Sequence, residues 1–171
     1  VILAFFAGTS RVRDGGGSAP SPIRLSTVLP SGVSVTRGPG YTGSVAVSPD
    51  SRTVVIAASD KDGQRLYRRS RDRLDPPPRA GTERGTSPFF SWDGMWIGFF
   101  ADGRLKRIPA SGGAAVDIAQ APGFSSGASW GPDDRIVFAY GADSHLHVVA
   151  AEGGSVEPLT TAATGRQPEV L

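Results

Sequence analysis

Three aspartates, Asp50, Asp93 and Asp133, recur at spacings of 43 and 40 residues, and recurring carboxylates are the raw material of acid–base catalysis. Each lies in a turn-forming string: Ser48-Pro49-Asp50, Ser91-Trp92-Asp93-Gly94 and Gly131-Pro132-Asp133. An Asp in a turn accepts hydrogen bonds from nearby backbone N–H groups, so turn formation accounts for all three without invoking a reaction.

Other strings carry the outline of a chemistry but not its context. Gly123-Phe-Ser125-Ser-Gly127 matches the nucleophile-elbow spacing, which needs a strand-to-helix turn and a His base. Here Ala-Ser-Trp-Gly-Pro follows, a strand and a turn, and the string reads as a loop between two units. Gly38-Pro-Gly40-Tyr-Thr-Gly43 matches the dinucleotide pattern, but a strand follows where the pyrophosphate needs a helix N-terminus. His145 and His147 would share one face of a strand, with Asp143 near. A metal needs more ligands than these supply, so they read as rim histidines. No catalytic residue, cofactor or metal is expected.

Between Lys61 and Arg79 the chain gathers Lys61, Arg65, Arg68, Arg69, Arg71, Arg73 and Arg79 against Asp62, Asp72 and Asp75, a local net charge of +4. Arg65, Arg68, Arg69, Arg71 and Arg73 form a candidate docking patch for an acidic partner or for phosphates. The plainer reading is a solvated outer strand whose charges discourage edge pairing.

The elements that must position these residues follow from composition and period. The chain has 171 residues, 23 Gly, 14 Pro and no Cys, with apolar runs set between turn signals. That pattern predicts an all-β protein of many short strands, and the missing Cys excludes disulfides and thiolate metal sites. A net charge of +2 is too small to point to nucleic acid. The period near 40 predicts four-stranded propeller blades. Leu105, Gly112, Gly113 and Ile118 recur as Leu146, Gly153, Gly154 and Leu159, each displaced by 41 with no gap.

The clearest unit runs from Thr86 to Gly113 and reads as strand, Asp93-Gly94 turn, buried strand, Asp102-Gly103 turn and third strand. Both Asp-Gly pairs suit two-residue hairpin turns. Ser51 and Asp134 replace the glycine elsewhere, which predicts looser turns or another type. Met95 to Phe100, Val54 to Ala57 and Ile136 to Ala139 are apolar on both alternating faces, as a strand between two packed sheets must be. Trp96, Phe99, Trp130 and Phe138 are therefore expected to be structural repeat positions, together with the three turn aspartates.

The predicted organisation is an apolar leader over 1–10, a Gly/Pro/Ser linker over 11–22, and a propeller fragment over 23–171 that opens on a strand over Ile23–Val28. Blade cores are placed near 44–75, 86–119 and 127–160, with a further blade beginning near 166. The leader falls short of the roughly 20 residues that span a bilayer and reads as the end of a longer apolar segment. Its basic flank, Arg11 and Arg13, favours the cytoplasmic side of a membrane.

Ser48-Pro49-Asp50, Ser91-Trp92-Asp93-Gly94 with Ile97 and Phe99, and Gly131-Pro132-Asp133 with Ile136 and Phe138 resemble the S-P-D-G-x-x-I-x-F repeat of TolB-like (WD40-like) β-propellers. Trp92, Ser51 and Asp134 depart from that pattern, and the third copy is one residue short before Ile136. More narrowly, Pro88-Phe89-Phe90-Ser91 with Trp96-Ile97-Gly98-Phe99-Phe100, and Ala128-Ser-Trp130-Gly-Pro-Asp133, look like the propellers that follow the membrane segment of bacterial serine/threonine protein kinases. The resemblance implies a partial propeller of about three complete blades plus the start of another. It implies a non-enzymatic sensor outside the cytoplasm, tethered through an upstream apolar segment, recognising a protein or small ligand at a propeller face, with further blades in the same chain. A prolyl-oligopeptidase-type propeller and a periplasmic TolB-type interaction protein are the alternatives. None of the kinase's own motifs occurs here, so the resemblance transfers no catalytic residue.

Overall fold

The computed structural model describes residues 29–36, 44–70, 80–141 and 145–160. The leader, the linker, the expected strand over 23–28, the Gly38–Gly43 string and the expected blade start near 166 lie outside the described residues. Twelve strands and no helix occur among those described.

The first sheet contains β1 (Ser34–Val35), β2 (Val45–Val47), β3 (Thr53–Asp60) and β4 (Gly63–Ser70). β4 pairs with the whole of β3, so β1 and β2 share the opposite edge of β3 end to end. The second sheet is the meander β5 (Thr86–Phe90), β6 (Trp96–Ala101), β7 (Arg104–Pro109) and β8 (Val116–Gln120). The third repeats it with β9 (Ser125–Trp130), β10 (Arg135–Tyr140), β11 (Leu146–Ala150) and β12 (Glu157–Pro158). All pairings are antiparallel. The leading strands lie side by side, β2 beside β5 and β5 beside β9. Three four-stranded sheets stacked face to face around their leading strands make a partial β-propeller.

The stacking follows from alternation along the middle strands. Ile97, Phe99 and Ala101 of β6 point to the first sheet and pack with Val55, Ala57 and Leu66. Phe100, on the opposite face of β6, packs with Leu105, Phe89, Trp130, Ile136 and Phe138 between the second and third sheets. Phe89 lies across Gly98, where an added Cβ would stand 2.2 Å from the ring. Trp96 is half-buried, and Phe99, Trp130 and Phe138 are buried.

The turns depart from expectation in instructive ways. Asp102 (φ 53°) and Gly103 (φ 69°) form the expected two-residue hairpin between Ala101 and Arg104. Asp93-Gly94 does not: it sits in a five-residue connection closed by Gly94 N–H donating to Ser91 O at 2.9 Å. Ser51 closes the same turn onto Ser48 O at 2.8 Å, with φ 59°, and Asp134 reaches φ 54°. These turns were expected to be looser or of another type without glycine, but the left-handed conformation is kept at roughly 1 kcal/mol for a non-glycine residue. Met95, expected to open the apolar strand, ends the loop instead and is 62% exposed.

The outer face of the first sheet carries residues of the kind that the inner junctions bury. Val47 stands 43 residues before Phe90, which is packed between sheets, yet Val47 is 50% and neighbouring Val45 53% exposed. The 171-residue chain alone is therefore expected to self-associate in a concentration-dependent way in sedimentation velocity, and a monodisperse, cooperatively unfolding monomer would contradict this. Gly98→Ala should cost about 1–3 kcal/mol in denaturant unfolding because the Phe89 ring must leave its place. An unchanged midpoint would show that the ring does not hold the second and third sheets together.

Candidate functional site

Strand alternation separates the arginine cluster instead of gathering it. Arg68 shares a face of β4 with Leu66 and reaches the second sheet, its Nη1 donating to Ala110 O at 3.1 Å. Arg65 and Arg69 project from the opposite face, with Tyr67 between them. The Tyr67 hydroxyl donates to Asp60 Oδ2 at 2.6 Å, and burial together with that bond pushes the phenol up to about 12. The same bond holds Asp60 below the ordinary carboxylate range. Arg71 and Arg73 lie outside the described residues. Of the candidate docking patch, then, the structure places Arg65 and Arg69 together and turns Arg68 away into a sheet junction.

The recurring aspartates are turn groups in the first two copies. Asp50 Oδ1 accepts from the Ser48 hydroxyl at 2.5 Å and from Arg52 N–H at 3.0 Å, while Ser48 Oγ accepts from Thr53 N–H at 2.9 Å. Asp93 does the same with the Ser91 hydroxyl at 2.6 Å and Met95 N–H at 2.9 Å, and Ser91 Oγ accepts from Trp96 N–H at 2.9 Å. In each case the serine bond is the main cause that lowers the carboxyl below its ordinary value, and the backbone bond adds to it. Two such ionised, engaged carboxylates suit neither a general acid nor a base poised near neutrality.

The third copy breaks the device. Gly131 replaces the serine, and Asp133 Oδ1 takes the space a side chain there would need. Trp130 Nε1 donates instead to Asp134 Oδ1 at 3.2 Å.

The remaining strings also resolve into structure. Ser125 opens β9 instead of lying in a linking loop, and its buried hydroxyl pairs with that of Ser87 at 3.0 Å, so no imidazole activates it. His147 Nδ1 lies 3.0 Å from His145 O, and the His147 ring rests 4.7 Å from that of Tyr140. Asp143 lies outside the described residues, and among those described no group of three potential ligands converges.

Because neighbouring strands are antiparallel, the connections sort to two ends of the stack. One end holds a cleft of about 300 Å³ at the first junction, lined by Pro49, Asp50, Arg68, Phe90, Asp93 and Met95. The other holds a cleft of about 480 Å³ lined by Gln64, Arg84, Phe100, Asp102, Phe124 and Ser125. Across it Arg84 Nη1 meets Asp102 Oδ1 at 3.1 Å, and Phe124 is 62% exposed beside them. Sequence reasoning missed this cleft. Arg84 sits in an unremarked Glu-Arg-Gly string, and Asp102 reads fully as a hairpin residue.

No protein-family profile matches the chain, and no curated protein matches it. Among solved structures it is similar to one assigned to TolB from Agrobacterium tumefaciens, with 21% identity and a TM-score of 0.58 over 67% of this chain and 47% of that one. TolB from Acinetobacter baumannii aligns at 14% identity with a TM-score of 0.38, over 69% of this chain and 45% of that one. The chain thus spans about half the length of these structures. The Agrobacterium likeness shows the fold, a TolB-like β-propeller arc.

Proposed function

We propose that the chain is a non-enzymatic binding module: the sensor propeller of a membrane-bound bacterial serine/threonine protein kinase, held outside the cytoplasm and joined to further blades in the same chain. The observation that carries the binding reading is the division of labour within the stack. Strand faces are consumed by packing between sheets, whereas turn and loop residues line a cleft at each end. Propeller clefts of this kind take a protein segment or a small ligand. The kinase context draws support from the Pro88–Phe100 and Ala128–Asp133 strings and from the order of apolar run, linker and propeller. No helix among the described residues is long and apolar enough to cross a membrane, so any tether falls to other parts of the chain. A TolB-type interaction protein is the second reading, favoured by the likeness to the Agrobacterium structure.

The test is the open reading frame around this segment. A kinase domain followed by a full apolar span upstream of Val1 is the expected result. A cleavable signal peptide directly before it would favour the TolB-type reading, and a Gly-x-Ser-x-Gly α/β domain downstream would replace both with a peptidase.

A further inference from the structure

We propose that the cleft between Arg84 and Asp102 binds a free α-amino acid with an apolar or aromatic side chain, held as its zwitterion. The inference rests on the reading of the chain as a binding module and names a ligand class for one of its clefts.

The charges at the rim set the class. Arg84 and Asp102 stand side by side, one cation and one anion 3.1 Å apart, with side chains 78% and 49% exposed. A simple anion reaching Arg84 would meet Asp102, and a simple cation would meet Arg84. A molecule that carries both charges two bonds apart satisfies both residues at once. An exposed ion pair contributes little, so exchanging it for two ligand contacts costs little. Capacity remains on both sides: of five guanidinium donors and two carboxylate oxygens, the ion pair brings one nitrogen, Nη1, to one oxygen, Oδ1.

Neutral groups add to the same pattern. Gln64 Nε2 is tied to Gly85 O at 2.8 Å, and its amide oxygen accepts nothing from the described residues, which leaves it for an ammonium. The Ser87–Ser125 hydroxyl pair uses one hydrogen between the two oxygens and leaves a second that can meet a carboxylate. Between these polar groups, Phe100, Ala121 and Phe124 supply an apolar wall. A cleft of about 480 Å³ admits an aromatic amino acid.

The rim is built on backbone held in an uncommon conformation. Arg84 (φ 57°), Ser87 (φ 45°) and Asp102 (φ 53°) are three of the five non-glycine residues with positive φ among the described residues, and all belong to this cleft or the hydroxyl pair behind it. The hairpin accounts for Asp102. Nothing in strand pairing calls for Arg84, whose N–H instead donates to Gln64 O at 2.8 Å and fixes it against the first sheet. Such outliers gather where a side chain must be aimed.

Isothermal titration calorimetry of the 171-residue chain with L-phenylalanine tests the inference. Saturable binding is expected, weakened at least about tenfold in N-acetyl-phenylalanine, which lacks the ammonium, and in phenylalanine amide, which lacks the carboxylate. Arg84→Gln and Asp102→Asn should weaken phenylalanine binding by a similar factor, and Asn keeps the left-handed turn. Asp117→Asn, which alters the ion pairs with Arg104 and Lys106, should leave it unchanged. Absence of saturable heat, equal binding of the capped analogues, or equal binding by both rim variants would overturn the inference. The analogue series needs no variant to fold. None of these outcomes bears on the reading-frame test, so failure here leaves the binding module standing and removes only this ligand class.

Discussion

The middle strand of each sheet is apolar on both faces, and a strand can bury both faces only if a further layer covers each side. In β6 this constraint is complete. Ile97 and Phe99 are withdrawn from water toward the first sheet, and Phe100 toward the third. Each fully buried side chain of this size contributes about 1.5–3 kcal/mol, so the junctions outweigh anything the short turns supply. With sheets stacked on both faces, their leading strands are brought together, and β2, β5 and β9 become neighbours although 40 or so residues separate them. The arc is therefore a consequence of two-faced burial repeated at a fixed period.

Apolar packing alone would let the sheets slide, and directed polar contacts fix their register. Arg68 pairs across its hairpin with Val55, and Arg107 with Gly98, positions 43 residues apart in the middle strands. Both arginines reach forward to the turn after the third strand of the next sheet. Arg68 meets Ala110 O, and Arg107 grips the Glu152 carboxylate with two bonds at 2.8 and 2.7 Å. The Arg107 guanidinium also lies 4.5 Å over the Trp96 ring, which offsets the loss of water around a side chain only 11% exposed. Among the described residues its Nε has no hydrogen-bond partner, and the two Nη atoms carry the fork toward Glu152. That fork raises the arginine and lowers the glutamate from their ordinary values. In the third sheet Val148 pairs with Val137 at the matching place, and the arginine link is not repeated.

Much of this was legible in the sequence because it depends on period. The spacing of the aspartates and the 41-residue displacement of Leu105, Gly112, Gly113 and Ile118 locate the sheets, and two-faced apolar runs identify their middle strands. What depends on direction was not legible. Arg65, Arg68 and Arg69 read as one patch because composition does not say which face of β4 packs; Leu66 decides it, and only once the second sheet is in place. Ser51 and Asp134 keep left-handed turns that residue type argues against, because the flanking strands fix the chain on both sides. Asp133 matches Asp50 and Asp93 in spacing but loses their role, since a glycine stands where the serine must be. Arg84 carries no pattern at all, and its place at a cleft arises from a strand residue 20 positions before it, Gln64, and a hairpin residue 18 after, Asp102.

The two ends of the stack are not equivalent, and the difference bears on where recognition can occur. At the end built by Ser48, Asp50, Ser91 and Asp93, hydroxyls and carboxylates are spent on backbone N–H groups of their own turns. Engaging a ligand there would cost the turns their partners. At the opposite end the hairpin of β6 and β7 closes through backbone geometry, with Asp102 and Gly103 both left-handed, and the Asp102 side chain has no duty within its own turn. Its ion-pair partner among the described residues is Arg84, on a separate loop and in contact with solvent. Charged groups not spent on their own turns are the ones a binding surface can use, and for the binding role proposed above this favours the Arg84–Asp102 end over the more conspicuous repeated acids.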